Sequence, residues 1–118
     1  MRSRNGTRVL RNLRTGAVLA RYVRVAETPG ERELRLLSWD VVCSDAGLWL
    51  DRCTAVDTFG MRSTIDIVFL DASNRVIALH LRRAPNQPEI YCARAHSSVQ
   101  LGTSSERDVL RGDVLVLD

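Results

Sequence analysis

Lysine is absent from this 118-residue sequence, so arginine supplies all 17 basic residues; histidine occurs twice, cysteine three times, and aromatic residues make up 5%. Such uniform use of arginine is explained by codon bias in a GC-rich genome more simply than by a need for bidentate anion recognition. No apolar run approaches the roughly 20 residues that a spanning helix needs, and no hydrophobic segment follows the basic N-terminus as a secretory signal requires. A cytoplasmic protein is expected. Cys43, Cys53 and Cys92 form an odd set without CxxC spacing, which argues against a disulfide framework or a zinc knuckle. The thiols are expected to be reduced and partly buried, with a Cys43–Cys53 bridge conceivable only in an oxidising compartment. No sequence motif calls for a cofactor.

What is present is the composition of one folded unit. Hydrophobic residues reach 45% and charged residues 26%, and a chain of this length suits a single core. Charge is unevenly placed. Arg2, Arg4, Arg8, Arg11, Arg14, Arg21 and Arg24 all precede the first acidic residue, Glu27, whereas the 14 acidic residues lie from there onward. Residues 1–15 therefore read as a basic, mobile arm with a short strand at 7–10, and residues 16–118 as a single β-rich domain. Arm and body of opposite charge can pair with each other. Weak, non-specific contact with nucleic acid through Arg2, Arg4, Arg8, Arg11 and Arg14 is the functional counterpart, although Tyr22 is the one aromatic residue in the first 26 that a base could stack on.

Periodicity supplies the elements. Residues 17–25, AVLARYVRV, alternate as a strand. Thr28 with Glu31, and Pro29 between them, form a capping-box pattern that predicts a short helix over 29–37, with Leu34 and Leu37 on one face beside Leu36. VVCSDAGLWLDRC reads as two short strands about a turn at 44–47. The strongest signal is TIDIVFLDASNRVIALHL at 64–81: two β-rich runs flank Asp71-Ala72-Ser73-Asn74, so a hairpin is expected. Ile65, Ile67 and Phe69 alternate with Asp66, Val68 and Leu70, which makes both faces apolar and the arm a central strand. EIYCA at 89–93 resumes a strand, Thr103 with Glu106 repeats the capping box for a second short helix ending at Gly112, and VLVL at 114–117 closes the sheet. The expected architecture is mainly β: a small single-domain sandwich or distorted barrel, jelly-roll-like, with two short helices.

Cys53, Thr58, Phe59, Met61, Arg62, Ile65-Asp66, Val68-Phe69-Leu70-Asp71 and Val76 together resemble the signature of family 192 of domains of unknown function, the uncharacterised ACR family. VRVAETPGERELRLL and GLWLDRC resemble the segments that lead into it, and Gly102-Thr103 and Gly112-Asp113 keep its late spacing. The resemblance spans about residues 17–117. It implies a compact, mainly β, jelly-roll-like fold and no particular reaction. Where the family usually has His-Thr-Phe-Phe-Met or a Trp-Met variant, this chain has Asp57-Thr58-Phe59-Gly60-Met61, so a titrating ring and an aromatic wall are replaced. Two further departures are Leu34-Arg35-Leu36 for the usual Arg-Gly-Leu step and Ser98 at a commonly acidic position.

The candidate ligand-binding residues are Cys53, Asp57, Thr58, Met61, Arg62 and Asp66. A cysteine nucleophile needs a base, and His80 and His96 both lie outside the segment; Asp57 is a poor substitute because a nearby carboxylate disfavours a thiolate. Cys53 therefore reads first as a small buried residue at a turn and Met61 as core filling. Cys53, Asp57, His80 and Cys92 include metal-ligand types without a metal-site spacing. Asp66 must meet solvent, a pocket or a cation, either Arg62 or another arginine; alternatively it joins Asp57 as a pocket carboxylate for a cationic or hydroxylated ligand. A non-catalytic module that binds a small ligand or a protein is the leading expectation. An enzyme, hydrolytic or metal-dependent, that uses the region from Cys53 to Asp66 with His80 is the alternative.

Overall fold

The alternating run at 65–70 forms an interior strand of the sheet, one in from its end. The structure, a computed structural model, describes residues 6–26 and 43–118. The expected helix at 29–37, the strand residues before Cys43, and Arg2 and Arg4 lie outside the described residues. Nine strands are present among the described residues: β1 (Thr7–Asn12), β2 (Val18–Ala26), β3 (Ala46–Asp51), β4 (Ala55–Val56), β5 (Ile65–Leu70), β6 (Val76–Arg83), β7 (Ile90–Tyr91), β8 (Ser97–Gly102) and β9 (Leu115–Leu117). Seven of them form a mixed sheet in the order β6-β5-β8-β3-β2-β1-β9, and β4 pairs with β7 in a separate two-stranded ribbon. Within the large sheet β2 and β3 run parallel; the other pairs are antiparallel. The Cα radius of gyration is 12.8 Å, the size of one compact domain of this length.

The hairpin expected at 64–81 is β5 and β6. Its turn is tied by the Asp71 carboxylate, whose Oδ1 accepts the Ser73 and Arg75 N–H groups at 2.8 and 3.0 Å, and Asn74 takes a left-handed conformation at φ 63°, a geometry that asparagine tolerates well. All six residues of β5 are buried. Its period-2 pattern feeds two cores. Val68 and Leu70 join Leu10, Val23, Trp49, Val99, Leu101 and Leu115, while Ile65, Ile67 and Phe69 join Leu48, Leu50, Val56 and Met61.

Two elements differ from the sequence reading. The short helix expected after Thr103 is absent: residues 103–114 run as turns and extended chain. The Asp113 carboxylate intercepts the Leu110 N–H there, while Ser104 N–H bonds to Asp66, and local competition of the first kind displaces a marginal helix. Conversely, β8 carries no strong apolar alternation, yet it is a fully buried strand between β5 and β3. Ser97, Ser98 and Gln100 give SSVQLG a loop-like look, but the backbone pairs on both edges.

Thr7–Asn12 is paired on both sides, to β2 and β9, and the basic residues of this stretch turn toward the C-terminal part of the chain. Arg8 bonds to the Leu117 carbonyl and Arg11 to the Asp118 carboxylate, at 2.9 and 3.0 Å. Arg14 donates to both oxygens of Asp113, at 2.7 and 3.1 Å, and Asn12 adds a third donor at 2.9 Å. An isolated antiparallel bridge joins Arg75, just before β6, to Val114, just before β9; these are the strands at opposite ends of the sheet order.

Two predictions come from these contacts. A Cβ on Gly47 would stand 2.7 Å from the Gln100 carbonyl oxygen across the β3–β8 ladder, and a ladder carbonyl has little room to retreat. Gly47→Ala should therefore cost about 1–3 kcal/mol in urea unfolding; an unchanged midpoint would contradict the close approach. Hydrogen bonds from Arg14, foremost, hold the Asp113 carboxyl well below the usual carboxylate range, helped by Asn12 and Leu110 against the opposing effect of burial. A depressed folded-state value gives stability that is present above about pH 4 and lost as the pH falls below it. Asp113→Asn should lower stability at pH 7 by about 1–3 kcal/mol and flatten the acid limb of a stability-versus-pH curve.

Candidate functional site

The segment from Cys53 to Asp66 crosses from the end of β3 to the start of β5, and its side chains divide between the two faces of the sheet. Cys53 is half-buried; its N–H bonds to the His96 carbonyl at 3.3 Å and its thiol donates to the Ala55 carbonyl at 3.2 Å. Asp57 accepts the Phe59 N–H at 3.0 Å, a local turn. Thr58 is the fastener of the loop. Its hydroxyl donates to the Ala84 carbonyl at 2.7 Å and accepts the Gln87 N–H at 2.8 Å, while its carbonyl accepts the N–H groups of Asn86 and Met61. Gly60 follows at φ 79°, a conformation open to glycine without strain, and its N–H meets Asn86 Oδ1. Met61 then drops into the core at 5% exposure, whereas Arg62 is exposed.

What remains open to a ligand is a cleft of about 260 Å³ lined by Arg52, Cys53, Thr54, Asp57 and Gln100, with Leu50, Ala55 and Val56 as apolar wall. Cys53 and Asp57 are thus brought together. Thr58, Met61, Arg62 and Asp66 are not part of its lining. Parity accounts for Asp66: side chains alternate along a strand, so Asp66 shares a face with Val68 and Leu70, opposite the core that receives Met61 and Cys53.

Asp66 is 2% exposed and organises a buried polar centre instead of a pocket with Asp57. Its partner is Arg107, held in an ion pair at Nη1. Asp66 also accepts the Thr103 hydroxyl at 3.1 Å, the Ser104 N–H at 3.3 Å and the Arg82 N–H at 2.9 Å. Arg82 belongs to a β-bulge: the register slips between Ile65 and Ile67, and φ is 55° at this residue, so the carboxylate takes up a donor that the ladder leaves unpaired. Arg107 spreads further, donating to the carbonyls of Gly102 and Ser44 at 2.9 and 2.6 Å. Burial pushes its guanidinium below the ordinary arginine range, against the pull of Asp66 and Asp45. A buried carboxylate in an apolar strand demands a cation, but nothing in the sequence distinguishes Arg107 from its fellow arginines.

The two histidines occupy other roles. His80 stands edge-on to Phe69, with ring centroids 6.0 Å apart, and its value is lowered first by burial and then by Arg83. The His96 ring lies 3.2 Å from the Ser97 hydroxyl, which donates to Asp51; the Trp49 indole N–H donates to the same carboxylate oxygen at 2.9 Å. Ser97 sits in the middle of this chain at 1% exposure, with its proton directed to Asp51 and not to the imidazole, and a hydroxyl so buried is out of reach of a substrate. Among the described residues no group of three or more His, Cys, Asp or Glu is arranged to hold a metal, and no helix is long and apolar enough to cross a membrane.

Residues 11–117 match the family described as Uncharacterized ACR, DUF192. The chain belongs to the DUF192 family. No curated protein matches this DUF192 chain in sequence. Its fold is similar to that of two crystal structures. One is a candidate transcription regulator from Sinorhizobium meliloti 1021, with a TM-score of 0.81 at 18% identity over 94% of this chain and 93% of that one. The other is a protein of unknown function from Novosphingobium aromaticivorans DSM 12444, with a TM-score of 0.77 at 14% identity over 93% of this chain and 83% of that one. At such identities the likeness concerns the fold.

The Asp66–Arg107 pair yields a direct prediction. Arg107→Ala strands a buried carboxylate and should cost about 3–5 kcal/mol in denaturant unfolding. Asp66→Leu combined with Arg107→Leu removes both charges together and should recover part of that loss; a double variant no more stable than Arg107→Ala would show that the single-variant cost is not one of an uncompensated charge.

Proposed function

We propose that this DUF192 domain is a non-catalytic module that binds a small polar ligand in the cleft beside β4. The observation that carries the reading is the convergence there of a carboxylate, an amide and a thiol, Asp57, Gln100 and Cys53, against the apolar wall of Leu50 and Val56. Small-molecule sites commonly combine an apolar lining with a few convergent polar groups. No histidine lines the cleft, and the Cys53 thiol is engaged with a carbonyl, so binding is better supported than nucleophilic catalysis. We read the sheet that holds the cleft as a distorted barrel, a reading supported by the Arg75–Val114 bridge between its two terminal strands. Nucleic-acid contact through Arg8, Arg11 and Arg14 is the weaker reading, because each of these guanidinium groups already has a partner in the C-terminal segment.

Intact mass under non-denaturing and denaturing conditions tests the proposal. A retained non-covalent mass that Asp57→Asn or Gln100→Leu abolishes, with the folded circular-dichroism signal preserved, is the expected outcome. The bare sequence mass for the unmodified chain, together with a Cys53 alkylation rate that no member of a polar fragment collection changes, would reject it.

A further inference from the structure

A second concavity lies away from the Cys53 cleft. It is an open groove of about 1080 Å³ whose lining comes from three segments: the β5–β6 turn and start of β6, the chain after β7, and the approach to β9. Three arginines, Arg75, Arg94 and Arg111, border it, against one carboxylate, Asp71. That carboxylate is occupied with its own turn: the Arg75 and Ser73 N–H groups hold it below the usual range, with the nearby guanidinium groups of Arg75 and Arg94 acting in the same direction. Arg75 spends one donor on the Gly112 carbonyl at 2.9 Å. Arg94 and Arg111 make no ion pair or side-chain hydrogen bond among the described residues and are both exposed. Between the arginines the lining is aliphatic, with Ala72, Ile77 and Ala93.

The walls are fixed to one another and to the sheet. Gly112 N–H bonds to the Val76 carbonyl at 2.8 Å and Val76 N–H to the Asp113 carbonyl at 2.7 Å; Cys92 N–H bonds to the Thr54 carbonyl and His96 N–H to the Leu70 carbonyl, both at 2.7 Å. A groove preformed in this way loses little conformational freedom when filled. Guanidinium groups match the oxygens of phosphate or carboxylate. The lining contains no aromatic ring, so it lacks the aromatic platform on which single-strand binders stack a nucleobase.

We infer that this groove binds a small aliphatic oxyanion, a phosphate monoester or carboxylate carrying a hydrocarbon body, with Arg94 and Arg111 on the anionic end and Ala72, Ile77 and Ala93 along the chain. The site is separate from the cleft beside β4, and the two stand or fall independently.

Backbone-amide NMR titration of the full chain tests the inference with octyl phosphate and octanoate below their micellar concentrations, and with inorganic phosphate and octanol as the two half-ligands. The expected result is saturable shifts at Ile77, Ala93 and Gly112 with at least one octyl anion, at a Kd about tenfold or more below that of either half-ligand. Preference for octyl phosphate or for octanoate identifies which oxyanion the groove takes. Arg94→Gln combined with Arg111→Gln, both exposed, should raise that Kd about tenfold with the remaining spectrum unchanged. The inference is overturned if neither octyl anion moves these amides, if octanol binds as tightly as the anions, if inorganic phosphate binds as tightly as octyl phosphate, or if the double variant binds unchanged. Shifts confined to Ala55, Asp57 and Gln100 would also overturn it while supporting the cleft beside β4.

Discussion

A carboxylate placed near the start of an apolar strand governs much of this fold. Asp66 lies on β5 between Ile65 and Ile67, out of contact with water, and burying such a charge alone costs several kcal/mol. The structure answers with one cation and three neutral donors: Arg107, the Thr103 hydroxyl and the N–H groups of Ser104 and Arg82. These partners come from different parts of the chain, so satisfying one carboxylate fixes the bulge in β6, the exit of β8 and the long connection to β9. Arg107 extends the same centre to the Ser44 carbonyl ahead of β3. A hydrogen-bonded charge pair in low dielectric adds to the register set by the apolar faces, because displacing one partner leaves a buried charge unpaired.

Around that fixed centre the chain leaves several concave regions, and the small β4–β7 ribbon borders two of them. Ala55 and Val56 of β4 wall the cleft that holds Cys53, Asp57 and Gln100, and the residues that follow β7, Cys92 to Arg94, wall the arginine-bordered groove. The same ribbon closes over the second core through Val56 and Ile90. Function, on this reading, is confined to the part of the molecule where a two-stranded element meets the large sheet, a setting in which side chains are held by backbone pairing while their ends remain reachable. The polar centre at Asp66 and Arg107 lies outside the lining of both the cleft and the groove.

The hairpin was legible because both of its signals are local: alternation over β5 and a turn whose aspartate bonds to its own backbone. The strands β2 and β9 followed from the same rule. β8 was not legible, since Ser97, Ser98 and Gln100 have the composition of a loop, and what makes them a strand is pairing on both edges with β5 and β3. The Ser98 hydroxyl is even buried without a hydrogen-bond partner among the described residues. The capping-box pattern at Thr103 and Glu106 failed because a helix of that length is marginal by itself, and Asp66, distant in sequence, and Asp113, three residues beyond Leu110, claim backbone donors there.

The sequence by itself therefore determined a β-rich single domain of the DUF192 family, its central hairpin, and the need of Asp66 for solvent, a pocket or a cation, because these depend on side-chain periodicity, turn chemistry and the cost of burying charge. It also placed Cys53 and Asp57 in one neighbourhood. Tertiary structure alone decided which of 17 arginines answers Asp66, that Met61 and Asp66 face opposite sides of the sheet from each other, and that Arg75, Arg94 and Arg111 converge on one groove. The physical reason is the same in each case: strand order and long-range register bring residues together across many positions of chain, and no local pattern encodes that pairing.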